Sequence, residues 1–551
     1  MVIKIKKTTA LFLLIAVLLG CTVVFFSCWV GKARRHEKET IEPPVDSGTV
    51  TVDPTPVGED SADPRIVGGE RQEISWRDFQ ERLSDAYFKD ETVRFLVCSN
   101  DYFDSLCARS IAPEDDTSFS VNNAVLERNK ILASTLGVKV AMDVKSTEDF
   151  GSEMLTVKTT GIHHYDVVSN NSSSNFSAAF LGDCKGSLLD LNSIDPAENY
   201  LDLDAPYWDK ALYDAASYNG HAYWITGELS QSYIGGMHAF FVNKTLWDEN
   251  EELIAALPSA KGESNLYALY NKGLWTLDLV CEISNAIYLD ADNDGKLSYE
   301  DRYGYADYGY GTDVLAAGAG VRSLEKKGET LYESSFNSNR SRFFAAKLIK
   351  LYTDSRALNL NFNSGMEEVI DRFSKGNVLM IGHTLSEAEG YLNIMEDGYV
   401  IMPPPMLSPN DPTGYVTGLW NNFSMYAIAA TAKTEGRVQL ITATLEYMAC
   451  LSYLNVTPVY FEELMLGINQ NATSKAKDNQ VRILNALVDH CQPDSGMLWY
   501  QHLNDPMRLF RTVSTSRNLP ELMAEADNEL RACLQTLLEE LSNAEKLLDD
   551  V

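Results

Sequence analysis

The sequence predicts an α/β chain divided into two lobes, on two observations. Val93–Ser99 (VRFLVCS), Val138–Val144 (VKVAMDV) and Tyr165–Asn170 (YDVVSN) are short runs of β-formers, and segments of helical spacing fill the gaps between them. Strand, helix, strand, helix, strand means parallel pairing through crossover helices. The second observation is length, since 551 residues exceed what one hydrophobic core grows to.

Residues 1–30 precede the folded part. Lys4, Lys6 and Lys7 lead into an apolar run, the pattern of an export signal. Within it, Leu18-Leu19-Gly20-Cys21 has the form of a bacterial lipobox, which makes Cys21 the lipidation candidate. The apolar run also continues to Val30 and is followed by Lys32, Arg34 and Arg35, so an uncleaved membrane anchor is the alternative. Either way the bulk of the chain is expected on the extracellular face of the cell membrane, tethered by its N-terminus. Residues 31–90 hold a spacer (EPPVDSGTVTVDPTPVGEDSADP), too polar to bury a core, and the start of the first domain. Arg65–Gly69 (RIVGG) copies the activation site of trypsin-like proteases, but no histidine, aspartate or GDSGG context follows, so it is a coincidence.

In the folded part, Ala124, Val125, Arg128, Ile131, Leu132 and Leu136 recur at helical spacing, and Gly137 is placed to cap that helix. Ligands of parallel sheets bind at the carboxyl ends of strands, which nominates Ser99, Asn100 and Asn170. His221–Glu228 and Met237–Trp247 read as strands. Leu277–Leu289 reads as a helix with Val280, Ile283, Ala286 and Ile287 on one face and Thr276 as N-cap. Val378–Gly382 and Gly398–Pro405 are further strands, and a last amphipathic helix runs from about Pro520 to Leu548.

The net charge of -32 would repel a phosphate backbone and excludes nucleic acid as a partner. Past the leader, seven cysteines form no CxxC pair and no zinc spacing. Cys98 and Cys107 can bridge a loop or remain buried thiols. His163 and His164 read as surface and strand-start residues.

The stretch Leu289–Tyr305 (LDADNDGKLSYEDRYGY) follows the calcium-loop template. Asp290, Asp292 and Asp294 fall at positions 1, 3 and 5, and Gly295 at the turn. Lys296 would offer its carbonyl at 7, Ser298 acts at 9, Asp301 closes the site at 12, and Leu297 takes the usual inward position. Aspartate at 12 reaches less far than glutamate. A weak Ca²⁺ site outside a cell would be filled constantly, which makes this a structural staple.

Trp275-Thr276 followed by this loop resembles the extracellular solute-binding proteins of bacterial ABC importers, the family related to maltose-binding protein. Asn219–Trp247 resembles the family's lobe crossing that ends in an asparagine-lysine pair, here Asn243-Lys244. Phe373–His383 (FSKGNVLMIGH), Tyr399–Met406 (YVIMPPPM) and Thr457–Met465 (TPVYFEELM) resemble later family segments in the same order. The resemblance spans roughly residues 90–510.

It implies a periplasmic-binding-protein-like fold of type II, with two lobes joined by crossing strands around a ligand cleft. One lobe is expected at 91–237 with 408–440, the other at 238–407 with 441–551. It further implies a monomer without catalysis that passes a small solute, a carbohydrate or oligosaccharide, to ABC permease subunits. Candidate ligand residues are Trp224, Glu228, Tyr308, Tyr310, His383, Trp420 and Asn421, because sugars stack on aromatic rings and bond to polar side chains. The alternatives are a tethered hydrolase of polysaccharide, which needs only a carboxylate pair, or a non-catalytic surface-binding protein.

Overall fold

The computed structural model describes residues 71–549 other than 100–103, 114–119, 172–175, 299, 361–364, 391, 393–394, 466–472 and 514–517. The leader with Cys21, most of the spacer, and Asn100 lie outside the described residues. Among the described residues no helix is long and apolar enough to cross a membrane.

A strand that is apolar on both faces must be covered on both faces, and VRFLVCS is such a strand. It forms β1 (Glu91–Ser99), which lies parallel to both β2 (Val138–Ser146) and β3 (Val167–Asn171). β11 (Ser424–Ile428) joins antiparallel to β3 at the far edge. The helices Ser120–Leu136 and Thr147–Thr160 are the crossovers. Phe95 and Val97 face one core, shared with the helix Val438–Leu451, while Leu96 and Cys98 face another, with Phe150, Met154 and Trp224.

A second sheet is built of β10 (Tyr399–Met402), β4 (His238–Asn243), β9 (Val378–Thr384), β5 (Tyr303–Asp307) and β8 (Leu358–Asn359), in that order. β4 runs antiparallel to both its neighbours, and β5 parallel to β9 and β8. A separate hairpin pairs β6 (Leu324–Lys326) with β7 (Tyr332–Ser334). Thr276 caps the helix Leu277–Ile287, its side chain accepting from Leu279 N at 3.3 Å. The buried Trp275 indole donates to Pro403 O at 2.8 Å, which ties the start of that helix to the strand end at β10.

The chain passes between the sheets three times. The first passage runs through the short helix Gln231–Gly235 to Met237, and the second through residues 417–423. The third is the π-helical turn Ser452–Val456. The boundary expected at 440 falls inside the helix Val438–Leu451, whose side chains belong to the first lobe's core. That helix is apolar all round and shows no single face, so periodicity could not place it. Residues 408–416, expected with the first lobe, pack on the second, where Tyr415 lies 4.6 Å from Tyr270 and Asp411 pairs with Arg340 at 2.8 Å.

Two other expectations change. His221–Glu228 is no regular strand, and meets its neighbours only through isolated bridges such as Ile225–Tyr426 and Trp208–Gly227. In Met237–Trp247 the strand ends at Asn243, whose side chain accepts from Leu246 N at 2.9 Å and starts the helix Lys244–Glu249. All seven described cysteines are thiols, and Cys107 Sγ lies 3.7 Å from Ser232 Oγ.

Gly227 sits where two chain segments nearly touch, since a Cβ there would stand 2.1 Å from the Tyr207 carbonyl oxygen. Backbone cannot yield as a side chain can. Gly227→Ala is expected to lower stability by about 1–3 kcal/mol in urea unfolding; an unchanged midpoint would show that the segments separate easily.

Candidate functional site

Residues 416–422, in and just before the second passage, face the helix Tyr310–Gly318 and the segment 492–511 across a cleft of about 770 Å³. Trp420 meets Tyr310 edge to face, with ring centroids 5.4 Å apart. Tyr310 in turn lies 5.6 Å from Tyr308, and Tyr308 lies 5.7 Å from His383. Asn421, Asn422, Gln492 and Gln501 add amide groups to the lining, and Tyr500, 41% exposed, adds a third aromatic ring. A cleft with aromatic faces and neutral donors and acceptors suits a hydroxyl-rich solute.

Beneath the aromatics the polar groups are fixed in their roles. Thr384 N donates to His383 Nδ1 at 2.8 Å, so the ring proton sits on Nε2 and is donated to Tyr308 Oη at 2.5 Å. Burial, with His238 nearby, pushes the His383 imidazole down to about 3, so it is neutral at physiological pH. His238, at the start of β4, lines the cleft and is pushed down to about 4 by burial.

The carboxylates of the cleft are committed to partners. Arg511 Nε donates to both oxygens of Asp313, at 2.9 and 2.8 Å, and its other nitrogens reach Asp505 at 2.8 and 3.2 Å. Burial pushes Asp313 up to about 6 while Arg511 pulls it back, and the charge-assisted Nε–H shared between its two oxygens keeps the pair ionised at neutral pH. Asp494 accepts from Ser323 N and Oγ, both at 2.7 Å, and from Gly496 N at 2.9 Å.

Of the candidates drawn from the sequence, Tyr310, Trp420 and Asn421 line the cleft, and Tyr308 and His383 support it from below. Trp224 does not reach it: the ring is 1% exposed in the first lobe's core, and its indole donates to Phe176 O at 3.3 Å. Glu228 is also elsewhere, buried and paired with Arg71 at 2.6 Å. Asn170 is buried within β3, opposite Met425 of β11. Ser99 is the last residue of β1. Sequence reasoning missed His238, Asp313, Gln492, Tyr500 and Arg511; for the last three, the 490–511 stretch carries neither a periodic pattern nor a motif.

The acidic loop folds on itself. Carboxylate oxygens of Asp290, Asp292 and Asp294 lie within 4.8 Å of one another. Asp290 accepts from Asp294 N and Gly295 N, and Lys296 N donates to Asp294 at 2.7 Å. Asp301 is fully buried and accepts from Ala291 N at 3.0 Å, Ser298 N at 2.8 Å and Tyr288 Oη at 3.2 Å. Its short side chain thus fastens the two ends of the loop instead of joining the converging trio. Leu297, expected to point inward, is 52% exposed, since no helix follows to bury it.

Glu387 follows β9 and is buried, and among the described residues nothing donates a hydrogen bond to its carboxylate. His383 Nδ1 stands 3.5 Å away, with its lone pair already taken by Thr384. Burial pushes this carboxyl up to about 7, so the folded chain holds its proton more tightly than the unfolded chain, where it titrates near 4.5. The stabilisation is therefore complete below pH 4.5 and is lost as pH rises through about 7. Glu387→Gln should be more stable than the parent at pH 8, by on the order of 3 kcal/mol, and equal to it at pH 4. Parallel stability curves in urea at the two pH values would refute this.

No protein-family model and no curated protein matches the sequence. Solved structures do. UspC of M. tuberculosis is 13% identical, with 80% of this chain and 100% of that one covered at a TM-score of 0.50. The cyclic alpha-maltosyl-1,6-maltose binding protein of Arthrobacter globiformis is 14% identical over 82% and 99%, also at 0.50. An extracellular solute-binding protein of Staphylococcus aureus, solved in complex with maltose, is 12% identical over 81% and 98%, again at 0.50. With the mixed sheets and three passages described above, these likenesses establish the fold as periplasmic-binding-protein-like, type II, in two lobes.

Proposed function

We propose that this chain is an extracytoplasmic solute-binding protein that captures a carbohydrate or oligosaccharide and delivers it to the permease of an ABC importer. The observation that carries this reading is the cleft in which Trp420 and Tyr310 offer aromatic faces beside the amides of Asn421, Asn422 and Gln492. Two proteins of the same fold are named for or solved with maltose-type sugars, which supports the class of cargo. A hydrolase would need a cleft carboxylate able to exchange a proton with substrate, whereas Asp313, Asp494 and Asp505 are held by Arg511 or by backbone N–H groups. The leader tethers the chain to the membrane, through lipid on Cys21 or through an uncleaved helix within residues 1–30.

The acidic loop holds Ca²⁺ as a structural ion. Asp290, Asp292 and Asp294 supply hard oxygen ligands that already converge, with the Lys296 carbonyl and Ser298 beside them, while Asp301, the last member of the set drawn from the sequence, accepts hydrogen bonds from Ala291 N and Ser298 N. Bound there, the ion offsets the mutual repulsion of three carboxylates and braces the turn between the helix Leu277–Ile287 and β5.

The reading is tested by thermal unfolding of the full chain against a panel of mono- and oligosaccharides, amino acids, peptides and polyamines. A sugar at about a hundred times its Kd adds about 2.7 kcal/mol and raises the midpoint by a few degrees. The sugar is expected back chemically intact, and Trp420→Ala should weaken its binding about tenfold. A response confined to amino acids or peptides, or a cleaved sugar, would sink the proposal. For the loop, chelation of calcium should lower the midpoint by a few degrees, with recovery when calcium is returned. Asp292→Asn should make the chain indifferent to both, and an unsubstituted chain that ignores the chelator would rule the ion out.

A further inference from the structure

The lobes also touch where none of the three passages runs. The hairpin β6–β7 is anchored in the second lobe, where Leu324 N and Ser323 N donate to Asp494. Its outer side meets residues 214–219 of the first lobe. Lys326 Nζ donates to the carbonyl oxygens of Asp214 and Ser217, each at 2.6 Å, and lies 2.8 Å from Ser217 Oγ. Those carbonyls lie in and just past the last turn of the helix Lys210–Ala215, the end at which a cation is favoured. Asn219 N donates to Glu329 O at 3.0 Å across the same seam.

An aromatic contact lies alongside. The Tyr332 ring lies parallel to that of Tyr218, 6.5 Å away, and its hydroxyl reaches Ser217 O at 3.3 Å. Trp499, 1% exposed, packs edge-on against Phe176 at 5.0 Å and tilted against Phe180 at 5.7 Å. Through these rings the larger hydrophobic core runs unbroken from the first lobe into the second.

We propose that this seam is a latch: the hairpin Leu324–Ser334, together with Trp499, fastens the second lobe to the first and holds the lobes together in the absence of any solute. Passage segments alone leave two lobes able to rotate about them, because an interface between lobes is by default a mobile one. Here the ammonium of Lys326 is matched by three oxygens, and a sealed aromatic contact excludes water beside it. The segments that make the latch are the ones that wall the cleft. Arg322 and Ser323 line it immediately before β6, and Met497 lines it two residues before Trp499. A solute that presses on either segment therefore bears on the latch, and opening of the latch moves the cleft wall.

The test uses the full chain in detergent with calcium present and no solute, so its outcome does not depend on which cargo is bound. Tyr87 in the first lobe and Phe343 in the second are 61% and 50% exposed, and each is replaced by an azide-bearing phenylalanine that takes a dye. Single-molecule energy transfer should show one dominant closed population. Lys326→Met should raise the ratio of open to closed molecules roughly tenfold, the loss expected for hydrogen bonds to a charged group. Tyr332→Phe removes one hydroxyl and keeps the ring, so it folds even if Lys326→Met does not, and it should shift the same ratio by a smaller factor. A mainly open parent, or transfer histograms unmoved in every folded variant, would overturn the latch.

Discussion

Two backbone hydrogen bonds, His238 N to Gly418 O and Trp420 N to Gly236 O, both 2.9 Å, decide where the rest of the cleft can sit. They set the first and second passages in antiparallel register, with Met237 opposite Leu419. In that register the Trp420 ring meets Tyr310 edge to face. The approach is close enough to need glycine: a Cβ on Gly418 would stand 2.4 Å from the Ala317 Cβ and 2.5 Å from His238 Nδ1. The aromatic face of the cleft is thus carried by a passage between the lobes.

The first sheet was legible because its inner strand β1, buried on both faces, leaves a near-continuous apolar run, whereas the edge strand β2 is only partly buried and shows itself by its β-branched residues. The Thr276 cap was legible because capping is local chemistry. The helix Val438–Leu451 was not, since burial on every side erases the 3.6-residue pattern. At the site, Tyr310 and Trp420 were reachable as aromatic rings within the stretch that resembles the solute-binding family. Trp224 and Glu228 misled because a short extended run does not say which side faces a cavity. Glu228 has its partner in Arg71, 157 residues away, a distance that no local pattern spans.

The acidic loop shows the same limit on a smaller scale. Its spacing identifies which residues approach each other, and Asp290, Asp292 and Asp294 do converge. The segment after Asp301 has no clean helical pattern and enters β5 directly instead of continuing as a helix, which the spacing of the loop does not convey. That difference turns Leu297 outward and draws Asp301 into the backbone of its own loop. The roles of positions 8 and 12 depend on what comes after the loop, and only the three-dimensional path supplies it.

A chain with 46 basic and 78 acidic residues has few cations, and their placement follows a rule. Arg82 pairs with Glu446, Arg109 with Glu389, Arg437 with Asp166, Arg340 with Asp411 and Arg511 with Asp313 and Asp505. The partners in the first three pairs are more than 250 positions apart, at separations of 364, 280 and 271 residues. Arginine suits this work because its rigid fork satisfies several acceptors at once. Arg437 reaches Asp166 with two nitrogens and also donates to Thr92 O. Burying such a pair gains little by itself, but removing one member strands the other charge away from water. An alternative packing that separates such a pair leaves a buried carboxylate without its cation. The effect of these pairs is to fix which distant segments meet, and so to fix the two-lobed arrangement on which the cleft depends.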